Sequence, residues 1–123
     1  MADFVSIFKA LSDINRLRIM TALLRSGTEL CICEIMDTID IAQYNVSRCV
    51  KELRVAGLIE ERKEGKFVFY TVVKPHTDAE KHLFNTLRAL NDDIFTEDHK
   101  RLTKRLALRE KGKCVVGMQS RAE

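Results

Sequence analysis

No stretch of this 123-residue chain approaches the roughly 20 consecutive apolar residues that a membrane span requires. The opening MADFVSIFKALSD has no basic region followed by an uninterrupted apolar run, so it does not read as a secretory signal. The expected location is the cytoplasm, with no membrane partner. Internal repeats and low-complexity segments are missing. So are a catalytic triad pattern, a glycine-rich phosphate loop and a carboxylate pair that stands out from the charged surface, which argues against an enzyme. Cysteine is scarce: Cys31, Cys33, Cys49 and Cys114 are too few and too unevenly spaced for a disulfide-stapled miniprotein. In a reducing compartment such thiols favour metal or redox chemistry. Nor does one sign of charge dominate. Twenty-one basic against eighteen acidic residues leave a net charge of +3, which neither demands nucleic acid nor repels it if the bases cluster on one face.

What is present is helical periodicity. At 46% hydrophobic the chain suits one domain with a modest core. Phe4, Ile7, Phe8 and Leu11 make a short apolar stripe, and Ser12-Asp13 supplies a cap for a second helix carrying Ile14, Leu17, Met20 and Leu24. Gly27 stops that helix, and Thr28 is the expected cap of a third, with Leu30, Ile32, Ile35, Met36 and Ile39 on its apolar side. Asp40-Ile41-Ala42 is the turn into a fourth. There Val46, Val50, Leu53 and Gly57 recur at i, i+4, i+7 and i+11, a buried stripe that leaves Gln43, Tyr44, Ser47, Arg48 and Lys51 facing outward. Such donors, acceptors and cations at a helix's N-terminal end suit base edges and phosphates in a major groove, although an ordinary solvated face has the same look.

After Gly57 the period changes from 3.6 to 2. Leu58–Lys63, a Glu64-Gly65-Lys66 corner and Phe67–Val73 predict a β-hairpin with a basic tip at Arg62, Lys63 and Lys66. Following a recognition-type helix, it is the layout of a winged helix whose tip lies against the DNA backbone. Beyond Pro75, Thr77-Asp78-Ala79-Glu80 has the form of a capping box opening one long helix to Phe95. Its Leu83, Leu87, Leu90 and Ile94 recur on one face, an expected homodimer surface, with an extra core helix as the other reading. Thr96 to Lys111 predicts a further helix whose Lys100, Arg101, Lys104, Arg105 and Arg109 form a solvated face. The expected organisation is a DNA-binding and dimerisation domain over residues 1–95, then a C-terminal helix and tail over 96–123.

Four segments carry a family resemblance: AL-D-NRLRI at 10–19, ELCICEI at 29–35, NVSRCVKELRVAGLI at 45–59 and EGKFVFYTV at 64–72. On these the chain, from about Phe8 to Pro75, resembles the ArsR/SmtB family of winged-helix metal sensors, and its thiol-based arsenic-repressor branch in particular. The resemblance implies a mainly α fold with a small β-hairpin, a homodimeric winged helix-turn-helix. It also implies a repressor that binds double-stranded operator DNA without a cofactor and leaves it when As(III) or Sb(III) occupies a cysteine site. The same fold sensing Cd, Pb, Zn, Cu(I) or thiol oxidation is an alternative, as is a metalloid-binding protein that has lost DNA binding. Two positions depart from the family pattern. Ala42 stands where a serine usually caps the recognition helix, and Met36 stands where related arsenic repressors have a third cysteine.

As(III) is soft and favours three thiolates in a pyramid, whereas Zn(II) prefers a closed tetrahedron. Cys31 and Cys33 are the expected ligands, with Cys114 the candidate third and Cys49 beside the buried stripe of the recognition helix. On a regular helix residues two apart point about 200° away from each other, so one ion can take both sulfurs only if the helix start loosens. Two small buried hydrophobes are the other reading of the pair. His76, His82 and His99 are expected at the surface.

Overall fold

The computed structural model describes residues 1–109, and local capping chemistry accounts for where most of its helices begin and end. Asp3 and Asp13 each accept a backbone N–H from the residue three positions on, at 3.0 Å in both cases, and so open α1 (Phe4–Leu11) and α2 (Ile14–Ser26). Gly27 ends α2 at φ 64°, where a side chain would be strained. The chain then departs from the sequence expectation. Thr28 caps nothing: Leu30–Cys31 is a short strand, β1, and α3 (Ile32–Ile39) starts with Cys31 as its N-cap. The reason is tertiary, because Leu30 pairs with Tyr70 and Cys31 with Phe69.

α4 (Gln43–Val55) follows a turn in which Asp40 takes a left-handed conformation, and Ala42 at its N-cap makes no side-chain cap bond, as its methyl group dictates. Gly57 adopts φ 72°, and a Cβ there would sit 3.0 Å from the Met1 backbone, so the N-terminus closes over this helix end. β2 (Ile59–Glu64) and β3 (Phe67–Val72) form the expected hairpin. With β1 on the far side of β3 the sheet has three antiparallel strands in the order β1-β3-β2.

The long helix expected from Thr77 to Phe95 is two helices. α5 (Asp78–Arg88) opens with the Thr77–Glu80 capping box, and α6 (Asp93–Leu106) begins after a break at Ala89–Asp92. Asn91, Asp92 and Asp93 favour caps and turns over helix interiors. Arg25 holds the break from the other side: its guanidinium donates to the carbonyls of Arg88, Leu90 and Phe95. Leu87 is 5% exposed and lies in the same core as Ile7, Ile19, Leu23, Leu53 and Phe84, with Leu83 and Leu90 partly buried against it. The stripe expected to be a dimer surface is therefore largely the protomer's own core, and only Ile94 is exposed. Residues 95 and 96, the expected domain boundary, both lie inside α6, whose Phe95 and Leu102 are buried.

The basic run along α6 and just past its end is also not a solvated face. Asp98, Arg101, Arg105 and Arg109 recur every three or four residues and turn toward α3 and α2. Arg105 Nε donates to Asp37 at 2.7 Å, Arg101 Nε to the Thr38 carbonyl at 2.8 Å, and Asp98 receives Arg18 Nε at 2.9 Å. Only Lys100 and Lys104 keep the exposed positions expected of them. Among the described residues no helix is long and apolar enough to cross a membrane.

Candidate nucleic-acid interface and thiol site

α4 buries Val46, Cys49, Val50 and Leu53 and presents Gln43, Tyr44, Ser47, Arg48 and Lys51 to solvent. Tyr44 is 71% exposed, and the Arg48 guanidinium lies 5.6 Å from its ring centroid, which steadies two long side chains at the helix's N-terminal half. Asn45 is exposed here as well. Burial pushes the Cys49 thiol up from its ordinary value, so it is a poor nucleophile on the inner side of the helix.

The three basic residues of the wing do not share one environment. Arg62 Nε donates to Glu29 at 3.0 Å, its guanidinium also reaches Glu64, and it lies 4.8 Å from the Phe69 ring centroid. These carboxylates hold its pKa above the ordinary arginine value. Arg62 thus fastens the wing to the segment ahead of β1. Lys63 and Lys66 are exposed and carry no ion pair among the described residues, so they are the two cations the wing presents.

The thiol pair converges without any loosening of a helix. Cys31, in extended conformation at φ −83° and ψ 166°, lies outside α3 while Cys33 lies in its first turn, and their sulfurs are 2.8 Å apart. What is overturned is the expectation that Cys31 lies on the helix with Cys33, because pairing with Phe69 holds it in β1. Cys31 is 1% exposed and Cys33 half-buried. Both face a cleft of about 360 Å³ whose other walls are Ile32, Met36, Phe67 and Val68, completed by the exposed Gln43 and Lys66. The sensing candidates and two of the DNA-facing candidates therefore share one cavity. Along the sheet, Cys31 pairs with Phe69 and Phe69 with Arg62, so the thiol site and the wing also share one rung.

Sequence reasoning missed the support of this site. Glu34 is fully buried, accepts the Cys31 N–H at 3.1 Å, and takes a two-pronged ion pair from Arg109 at 2.6 and 2.7 Å. Arg109 also donates to the Glu29 carbonyl at 2.7 Å. The signal was there, since Glu34 stands three residues after Cys31 as a capping-box acid, but nothing local tells which arginine would meet it. Cys114 lies outside the described residues. Among those described no cluster of three or more His, Cys, Asp or Glu side chains could hold a metal, and His76, His82 and His99 are all exposed.

The likeness to known proteins falls on the same elements. Residues 13–61, from the start of α2 into the wing, match the family described as "Bacterial regulatory protein, arsR family". The arsenical resistance operon repressor of Escherichia coli is 40% identical over 75 residues, 61% of this chain and 62% of that protein. The cadmium resistance transcriptional regulatory protein CadC of Listeria innocua is 40% identical over 65 residues, 53% of this chain and 54% of that one. The chain thus spans about half to two thirds of the length of these curated relatives. Among solved structures, reduced HlyU from Vibrio cholerae superposes with a TM-score of 0.58 at 31% identity, covering 68% of this chain and 82% of that one. A matched helix pair and a shared three-dimensional arrangement lead to one conclusion: the chain belongs to the ArsR family of bacterial regulatory proteins.

Proposed function

We propose that this protein is a transcriptional repressor that binds double-stranded operator DNA as a homodimer and leaves it when As(III) binds Cys31 and Cys33. The observation that carries the reading is the shared cleft: the converging sulfurs, the first residue of α4 and Lys66 of the wing line one cavity. A ligand on the sulfurs acts directly on groups that face DNA. Gln43, Tyr44, Ser47 and Arg48 read base edges, while Lys51, Lys63 and Lys66 contact phosphates. Arg62 holds the wing in place. Two thiolates leave arsenite one bond short. Cys114 is the proposed third, because it stands only five residues after Arg109, whose guanidinium is anchored on the Glu34 carboxylate that accepts the Cys31 N–H. The deciding experiment is a mobility-shift assay on the chain's own upstream DNA, with arsenite and, separately, cadmium added to the reduced protein. No shift without inducer would remove the repressor reading, and release by cadmium alone would change the inducer.

Arg48→Ala and Gln43→Ala are expected to weaken operator binding in a sequence-dependent way, each lost base contact costing ~1–3 kcal/mol. Lys66→Ala should weaken all DNA sequences alike and flatten the salt dependence of binding. A change of base preference in Lys66→Ala, without one in Arg48→Ala, would place the reading head wrongly.

The proposed dimer face is formed by α1 with α5. Val5 and Phe8 are 65% and 58% exposed, and Phe4 and Phe8 line an open apolar groove with His82, Leu83 and Thr86. A contiguous apolar patch across two helices suits a second copy, and two copies present two recognition helices to half-sites about one helical turn apart. Phe8→Glu should give folded monomers with little operator affinity. Leu87→Glu, in the core, should lower the urea midpoint instead. Sedimentation and far-UV circular dichroism on both variants separate these outcomes, and a folded, monomeric Leu87→Glu would restore α5's inner stripe as the interface.

A further inference from the structure

Helix α4 has two flanks, and the cleft described above lies along one of them, where Gln43 meets Lys66 of the wing. Asn45, two residues on and so about 200° around the helix, lies on the other. There, with Arg48 and Lys51, it lines a polar groove of about 350 Å³ whose far wall is Asn15 and Arg16 of α2. A recognition helix lying in a major groove about 12 Å wide has a phosphate backbone on either side of it. We infer that the groove between α2 and α4 seats a phosphate of the backbone opposite the wing, held by the amides of Asn15 and Asn45, so that α2 is a second anchor on duplex DNA. This rests on the reading of α4 as the helix that enters operator DNA, and it adds a contact outside the recognition helix and the wing.

A buried neighbour sets Asn15 for this role. Its Oδ1 accepts Arg18 Nη1 at 3.1 Å, and Arg18 is held in place, 9% exposed, by Asp98 at 2.9 Å and the Ile39 carbonyl at 2.6 Å. A guanidinium has only donors, so it claims the amide oxygen and leaves the Asn15 amide nitrogen, also a donor, without an acceptor among the described residues. Asn45 is exposed on the facing wall. Donors converging from two walls suit a phosphate oxygen, and asparagine is among the side chains that bond the DNA backbone. The charge of the groove agrees. Arg16, Arg48 and Lys51 stand against Asp13 and Glu52, and Asp13 is already committed as the cap of α2, accepting the Arg16 N–H at 3.0 Å. Arg16 turns its side chain to the end of α1, where Nε donates to the Ala10 carbonyl at 2.6 Å and Nη2 to the Lys9 carbonyl at 3.3 Å. Its charge therefore favours an anion in the groove while the amides make the contact.

The test uses the full reduced chain, a duplex of its own upstream DNA and a scrambled duplex of the same length, with urea unfolding of every variant. Asn15→Asp keeps an oxygen for Arg18 and puts a carboxylate oxygen where the amide nitrogen stood. It should unfold at the parental urea midpoint or above it, yet bind both duplexes at least tenfold more weakly. Asn15→Ala should weaken both about tenfold, as expected for one lost hydrogen bond to a charged group. Its slope of log affinity against log salt should stay parental, since no cation is lost, whereas Lys51→Ala should flatten that slope by about 0.9 for each phosphate contact removed. Asn45→Asp, on the exposed wall, should repeat the loss on both duplexes, and it reads the groove even if Asn15→Asp unfolds early. Parental DNA affinity in Asn15→Asp would mean that Asn15 serves Arg18 alone and would overturn the inference. So would parental affinity in Asn45→Asp, or losses confined to the upstream duplex, which would make these amides base contacts. Those outcomes leave the proposed function standing. A parent protein that does not bind its upstream duplex removes the proposed function and this contact with it.

Discussion

Asp98→Ala is expected to destabilise the protein by about 3–5 kcal/mol, because it leaves a buried guanidinium without its counter-charge. The Asp98 carboxylate takes Arg18 Nε and Nη2 at 2.9 Å each and Arg101 Nη2 at 2.7 Å, and it is 3% exposed. Arg18 in turn donates to the Ile39 carbonyl at 2.6 Å, at the last residue of α3. One carboxylate therefore ties α2, α6 and, through Arg18, the end of α3. A domain of this size is typically stable by about 5–15 kcal/mol, so the loss is a large share of the total. Urea unfolding followed by circular dichroism measures it. Replacing the pair together, as Arg18→Met with Asp98→Leu, should recover much of the loss, since a packed apolar pair has no charge to desolvate. An Asp98→Ala protein within about 1 kcal/mol of the parent would mean that apolar contacts alone hold α6.

Serine at Cys31 or Cys33 is expected to abolish release by As(III) while leaving operator binding nearly intact. A serine hydroxyl stays protonated near neutral pH and is a poor ligand for a soft ion. Neither thiol is on the DNA-facing arc of α4, so the unliganded protein should bind its operator as before. A hundredfold drop in operator affinity on ligation corresponds to about 2.7 kcal/mol of coupling, and the same factor must appear as weaker arsenite binding in the presence of operator DNA. The measurement is arsenite titration of the protein–DNA complex for the parent, each single variant and Cys114→Ser. Cys114→Ser should reduce inducer affinity yet allow partial release. If the double variant Cys31→Ser, Cys33→Ser leaves the operator at parental arsenite concentrations, these thiols are not the sensor.

Much of this could be read in the chain because much of it is local. The Asp13 cap, the Gly27 and Gly57 helix ends, the stripe of α4 and the period change into the hairpin each depend on residues within one or two turns of one another. Where local signals competed, the reading failed. Thr28 is the better cap by type, and only the pairing of Leu30 and Cys31 with β3 extends the chain there and delays α3 to Ile32. The Leu83, Leu87, Leu90 and Ile94 series fits one helix by spacing, but Arg25, more than sixty residues earlier, gathers the carbonyls of the break between α5 and α6.

The sequence by itself determined the helix pair, the wing and the identity of the thiols, because helical period, caps and strand alternation are set by each residue's near neighbours. Only the tertiary structure decided which polar faces are buried and which groups meet. A stripe of arginines along α6 and just past its end has the same spacing whether it faces water or Asp37, and it is the matching carboxylates of α3, some seventy residues away in the chain, that bury it. Cys31 and Cys33 would diverge on a helix, and they converge because pairing with Phe69 holds Cys31 in a strand. Long-range pairing chose between conformations that local energetics leave close in free energy, and that choice placed the sulfurs in one cleft with Gln43 and Lys66.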